Sequence, residues 1–220
     1  LIAVKEQFQN AKFAGIACGM KNTGIGNGVQ DGSKVKVVIE SPTEIMIHHG
    51  WTEMGQGVFT MAVQFLCEAT GLNPNFISVK VDTSKEASCG MTTASRGTSL
   101  IGNSVLEAGK KLKADLEIHS LEELVGREYS GEWKCDWTTA IEADSDEPQT
   151  HYSYSYATQV VTLDDTGKID CIYAAHDAGR IVNPILFEGQ LEGSVHMGLG
   201  YALSEKFEME EGRPVHTKLG

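Results

Sequence analysis

Three stretches of the sequence carry residue types able to grip a small anionic or heterocyclic ligand. The first is Gly50-Trp51-Thr52-Glu53-Met54-Gly55-Gln56-Gly57, which ends where helical spacing begins at Val58. Three glycines in eight residues leave backbone N–H groups unshielded. A helix N-terminus with free amides and a positive dipole end attracts anions. The carboxamide of Gln56, set between two glycines, both donates and accepts hydrogen bonds. A tight turn with its own amides satisfied is the plainer reading of the same residues. The second stretch, Ser88-Cys89-Gly90-Met91-Thr92-Thr93-Ala94-Ser95-Arg96-Gly97-Thr98-Ser99, is a loop of small and hydroxyl residues that opens another helix. Such a loop wraps a phosphate or a ring, with Arg96 to offset charge, or else it is a Ser/Thr loop with N-cap chemistry. The third is Glu188-Gly189-Gln190-Leu191-Glu192-Gly193. Glycine costs a helix about 1 kcal/mol relative to alanine, so two glycines four apart imply close approach by a strand or a ligand.

Other arrangements are weaker. Gly24-x-Gly26-x-Gly28 precedes the first convincing strand and has the wrong spacing for a dinucleotide loop. His176-Asp177 and Ser194-x-His196 lack a GxSxG elbow. Nothing fixes the separation of Glu53 and Glu192. Cys89 has no histidine nearby in sequence and reads as an inert loop thiol. The seven histidines form no HExxH pair, so no metal ligand is assigned to side chains. Spacing alone yields no catalytic residue.

The elements that must position these segments follow from periodicity. Val35, Val37 and Ile39 alternate, Ser41-Pro42-Thr43 turns the chain, and Ile45 and Ile47 resume the pattern: a hairpin. Val58, Ala62, Phe65, Leu66 and Ala69 mark a helix closed by Gly71. Residues 76–82 alternate as a strand, and Ile101, Val105, Ala108 and Leu112 mark a second helix. Tyr152 to Leu163 and Ile169 to Tyr173 form another hairpin around Asp164-Asp165-Thr166-Gly167, and Asn183-Pro184 caps a third helix. The repeated plan predicts an α+β fold of two related two-layer α/β units with mixed sheets. Residues 1–31 read as an irregular glycine-rich lead-in, 32–117 as the first unit, 118–149 as an acidic connector or insertion, and 150–220 as the second unit.

The 220 residues carry 18 Lys and Arg against 30 Asp and Glu, a formal charge of -12. That balance opposes nucleic acid or an anionic membrane as partner. No apolar run is long enough to span a bilayer. Five scattered cysteines argue for reduced thiols and a cytoplasmic setting. The absence of an initiator Met suggests a piece of a longer chain.

In this order the motifs resemble one family. Gly50-x-Thr52-Glu53-Met54-Gly55-Gln56-Gly57, Thr93-Ala94-Ser95-Arg96, Gly189-Gln190-x-Glu192-Gly193 and Gly198-Leu199-Gly200-Tyr201-Ala202-Leu203 look like the molybdopterin-binding subunit of the xanthine dehydrogenase and aldehyde oxidase family. Gly15-Ile16-Ala17-Cys18-Gly19 and Ala175-His176-Asp177-x-Gly179-Arg180-x-x-Asn183-Pro184 fit it too. The resemblance implies hydroxylation of a purine, another N-heterocycle or an aldehyde with oxygen from water. It implies a molybdenum–pterin cofactor, as such or as a dinucleotide, with the metal held by the pterin. Iron–sulfur clusters and FAD would lie on partner domains or subunits. By the same resemblance Met54, Gly55, Gln56 and Gly57 face the cofactor, Ala94 lies near the metal, and Ser95, Arg96, Gly97 and Thr98 hold the phosphate side. Gln190 reaches the pterin from the third helix. Gly97 stands where many members carry a bulkier polar residue. The family's general-base glutamate is expected beyond Gly220, so a piece cut at both ends would fold without turning over. The rival is a non-catalytic nucleotide-binding or structural module that kept the scaffold.

Overall fold

The computed structural model describes residues 1–216. Its first unit, Leu1–Gly179, contains α1 (Lys5–Asn10), β1 (Phe13–Thr23), β2 (Asp31–Ser41), β3 (Glu44–His49), α2 (Val58–Thr70) and β4 (Ile77–Lys80). It continues through α3 (Gly97–Leu116), β5 (Glu128–Cys135), β6 (Ser153–Leu163) and β7 (Ile169–Asp177). The second unit, Arg180–Gly220, holds α4 (Pro184–Leu203) and a short hairpin of β8 (Met209–Glu210) and β9 (Arg213–Pro214). The fold class is α+β, as the periodicity predicts.

Alternation decides the main core. Val35, Val37 and Ile39 of β2 and Ile45 and Ile47 of β3 point to one face and are buried. Against them pack Val58, Ala62 and Leu66 of α2 and Leu100, Ile101, Val105, Ala108 and Leu112 of α3. Each large apolar side chain among them contributes about 1.5–3 kcal/mol on full burial. The sheet order is β4-β3-β2-β5, with β3 and β4 parallel and the other pairs antiparallel. Gly71 closes α2 in the left-handed conformation, its N–H donating to the Cys67 carbonyl at 2.7 Å. Asn183 caps α4 by accepting from the Leu186 N–H at 3.0 Å, with Pro184 in the first turn.

Three boundaries differ from the sequence expectation. Residues 1–31 are not an irregular lead-in: β1 pairs with β6 along its whole length, Phe13 opposite Leu163 through Thr23 opposite Ser153. Small, weakly strand-forming residues hide it, and its stability comes from that distant partner. The acidic connector contains β5, which pairs with β2 from Asp31 opposite Cys135 to Val38 opposite Glu128. Its acids face outward while Tyr129 and Cys135 are buried. The sheet β1-β6-β7 is antiparallel throughout, not mixed. The chain therefore divides after Gly179, not into 32–117 and 150–220. Residues 217–220 of the expected second unit lie outside the described residues.

Candidate functional site

β3 and β4 are parallel neighbours, and each leads from its carboxyl end through a loop into a helix. Ligands of open α/β sheets bind in the crevice outside such strand ends. Residues 50–57 connect β3 to α2, and residues 81–96 connect β4 to α3. The Thr52 N–H donates to Thr92 Oγ1 at 3.0 Å and ties the two loops together. The structure thus brings Met54–Gly57 and Ala94–Thr98 into one unit. Gln190 lies exposed on α4 in the second unit.

In the first loop the amides are not free. Glu53 Oε1 accepts from the Gly55 and Gly57 N–H groups at 2.9 Å each, and its Oε2 accepts from Phe59 N–H at 3.1 Å. The carboxylate fills the anion position at the N-terminus of α2, where Gly57 takes a left-handed cap with φ +84°. Burial alone would push the Glu53 carboxyl up. The four backbone donors of Gly57, Phe59, Gly55 and Val58 outweigh it and hold the group below the ordinary carboxylate range. Gln56 Nε2 donates to the Thr52 carbonyl at 2.7 Å, and its Oε1 accepts from Met54 N–H at 2.7 Å. Met54 is exposed, and a Cβ placed on Gly55 would meet nothing within 4 Å. The loop therefore presents an open face of glycine backbone, thioether and carboxamide.

The second loop is built differently. Ala94 and Ser95 both have left-handed backbones, φ +55° and +53°, and the Arg96 N–H donates to the Thr93 carbonyl at 3.4 Å. This is a type I′ arrangement, whose usual occupants are Asn and Gly. Each left-handed non-glycine residue costs about 1–2 kcal/mol. The Gly24 N–H donates to the Ala94 carbonyl at 3.1 Å. Arg96 is 1% exposed. Its Nη1 meets Asp31 Oδ1 at 2.5 Å, its Nη2 donates to the carbonyls of Cys89 (2.8 Å) and Met91, and its guanidinium stacks 4.8 Å from the Trp51 ring centroid. Gly97 begins α3, where a Cβ would lie 3.8 Å from Trp51 and Val58, and Thr98 is exposed beside it. A cleft of about 370 Å³ opens nearby, lined by Ile25, Asp31, Ser88, Cys89, Met91 and Arg96. Burial pushes the Cys89 thiol up, more than the Arg96 charge pulls it down, so it stays protonated.

Sequence reasoning missed Asp31. The signal was present: counting back by twos from Val35 places Ser33 and Asp31 on the buried face of β2, so a carboxylate stands in phase with the core. Besides Arg96, Asp31 accepts from the Ile25 N–H at 3.2 Å and the Gly32 N–H at 2.8 Å. The glycines before it are structural. A Cβ on Gly26, whose φ is +63°, would lie 2.2 Å from the Thr150 carbonyl oxygen. Among the described residues no group of three or more His, Cys, Asp or Glu is placed to hold a metal ion, and no helix is long and apolar enough to cross a membrane.

A domain with these loops at the ends of parallel strands has counterparts. The chain matches the sequence model of the molybdopterin cofactor-binding domain over residues 3–126 and 117–220, and it belongs to that family. Among curated proteins it is similar to a probable xanthine dehydrogenase component of Bacillus subtilis, 29% identical over 239 residues. That match covers 90% of this chain and 31% of the relative. It is 27% identical to the xanthine dehydrogenase/oxidase of Felis catus, covering 86% of this chain and 16% of the cat protein. Its fold resembles the solved aldehyde oxidoreductase from Desulfovibrio gigas with a TM-score of 0.79 at 23% identity, covering 94% of this chain and 26% of that one. The chain spans about a third or less of the length of these proteins.

Proposed function

We propose that this chain forms part of the cofactor-binding face of a molybdenum hydroxylase of the xanthine dehydrogenase and aldehyde oxidase type. The observation that carries the reading is the joining of two small-residue loops, at the ends of β3 and β4, in a chain that matches the molybdopterin cofactor-binding family over residues 3–220. When bound, the molybdenum–pterin group supplies oxidative hydroxylation with water as the oxygen source. The proposed substrates are a purine, another N-heterocycle or an aldehyde. Iron–sulfur and flavin groups on partner domains would carry the electrons away, in a cytoplasmic enzyme.

The residues fit the group at most positions. Gln56 uses one N–H and one lone pair of its carboxamide within the loop, which leaves one of each for the edge of a pterin. Gly55 and Gly57 supply a surface without side chains beside it, and Met54 adds an exposed thioether. The small residues Ala94 and Ser95, with Gly97 and the Thr98 hydroxyl, face a phosphate or metal-ligand side. The residues hold and orient; no general base is assigned within the chain. Arg96 does not fit as a direct phosphate ligand. Its two Nη groups are held by Asp31 and two carbonyls, its plane stacks on Trp51 and the side chain is 1% exposed, so the ligand's negative charge falls to other groups of the loops.

The test is the molybdenum and pterin content of the native protein that carries this segment. Roughly one of each per chain is expected when the cofactor carries the chemistry. A well-folded preparation with neither, from cells that make the cofactor, refutes the reading and favours a structural or nucleotide-binding module.

A further inference from the structure

The cofactor reading leaves one buried assembly unused. Asp31, Arg96, Trp51 and the Gly24–Ile25 backbone form a network beneath the second loop. Its attachment points bracket the turn. The Arg96 guanidinium holds the carbonyls of Cys89 and Met91 on one side, and the Gly24 N–H holds the Ala94 carbonyl within the turn. Asp31 anchors the guanidinium and is itself fixed by the Ile25 and Gly32 amides. Arg96 and Asp31 are 1% and 2% exposed at their side chains, so the pair is buried. Tyr152 closes the other end: a Cβ on Gly24 would lie 2.2 Å from its Cε1.

Two consecutive left-handed, non-glycine residues persist only where the surroundings over-determine them. Here the over-determination is visible atom by atom. We propose that Asp31, acting through Arg96, and Gly24, through its amide, are positioning residues that set the Ala94–Ser95 turn and hence the surface it offers a bound cofactor. Neither touches the cofactor. The proposal rests on the cofactor reading for its purpose, but the coupling between residues 24–33 and 88–96 stands apart from it. It also reassigns Arg96, from the phosphate ligand that the family resemblance implies to the tether of the loop.

The test uses the full-length protein as wild type, Asp31→Asn and Arg96→Lys. Two quantities are read: amide hydrogen exchange and molybdenum per folded chain. Asn keeps the size of Asp31 but removes the charge that holds the guanidinium; Lys keeps a cation but makes no fork. Exchange in 24–33 and 88–96 is expected to quicken together, by about tenfold, while residues 100–112 in the core of α3 stay protected. Molybdenum per folded chain is expected to drop by about fivefold or more, because a loosened support shell loses its ligand. If Asp31→Asn fails to fold, Arg96→Lys carries the same comparison.

Unchanged exchange in 88–96 overturns the proposal. So does a loosened loop with wild-type molybdenum content, which makes the network scaffold alone. Higher molybdenum retention in Asp31→Asn overturns it too, since a released Arg96 would then be acting on the ligand directly. A wild type without molybdenum whose two segments still loosen together in Asp31→Asn defeats the cofactor reading and supports the tether.

Discussion

The Trp51 N–H donates to His49 Nδ1 at 3.1 Å, inside a pocket where both residues are fully buried. The bond places the remaining imidazole proton on Nε2, and the Phe59 ring stands edge-on with its centroid 5.0 Å away. The same Trp51 donates through Nε1 to Ser33 Oγ at 3.0 Å and lies against Arg96. His49 thus locks the residue that floors the second loop, and it can do so only while neutral.

Acid should therefore weaken this protein through His49. Burial, far more than the opposing pull of Glu53, lowers its pKa from 6.5 to about 4. Between those values the unfolded chain takes up a proton that the folded chain refuses, so stability is full above pH 6.5 and falls as pH drops towards 4. The loss at pH 5 is about 2 kcal/mol. Denaturant unfolding of wild type and His49→Asn, at about pH 7.5 and pH 5, checks it. Asn keeps an acceptor for Trp51 without titrating, so the gap between the two proteins should narrow by that amount. Parallel pH curves would rule out His49 as the cause.

The strand inside the acidic stretch gives a second prediction. Gly131 of β5 faces α3 so closely that a Cβ would lie 1.9 Å from the Ser104 carbonyl oxygen and 2.8 Å from the Ala108 nitrogen. Both are backbone atoms in the middle of a helix and have little room to move. Gly131→Ala should cost about 3 kcal/mol or more by overpacking. An exposed connector would tolerate the change, so a wild-type melting temperature in Gly131→Ala would remove β5 from the fold.

Much of this architecture was legible because burial and periodicity agree. In β2, β3 and α3 the apolar positions on the pattern are the buried ones, and in α2 Val58, Ala62 and Leu66 are buried while Phe65 and Ala69 are half-buried. β5 was equally periodic, with Tyr129, Gly131, Trp133 and Cys135 alternating against Glu128, Ser130, Glu132 and Lys134, but the count of acids in the surrounding segment masked the alternation. β1 had no such signal. Its Ala and Gly residues are held by hydrogen bonds to β6, more than a hundred residues away. At the site, glycines and Gln56 were readable as a ligand face. What could not be read was which groups were already satisfied: Glu53 folds back on the amides, and Arg96 turns inward to Asp31.

Backbone strain at Ser95 yields a prediction of opposite sign. The residue is exposed with φ +53°, so Ser95→Gly removes a steric penalty while enlarging the freedom of the unfolded chain. The net effect should be about 0.5–1 kcal/mol of stabilisation, or roughly 1–4 °C in melting temperature. Ser95→Val, β-branched and poorly suited to that region, should lower it. Equal melting temperatures for the three proteins would mean the turn relaxes freely and stores no strain.

Gln56 separates binding from folding. Its carboxamide bridges the Thr52 carbonyl and the Met54 amide on a part-exposed loop, so Gln56→Ala loses two local bonds and no core contact. About 1 kcal/mol of stability should go with them, a small change beside the effect on ligand. If the second N–H and lone pair of the amide meet the pterin, molybdenum and pterin retained by the full-length protein should fall by about tenfold. Gln56→Glu sharpens the comparison. A carboxylate still accepts from Met54 but sets like charge against Glu53 and repels the Thr52 carbonyl, so it should retain less cofactor than Ala. Cofactor content and unfolding free energy measured on the same preparations decide the matter. Full retention in both variants would show that Gln56 holds its own loop and nothing else.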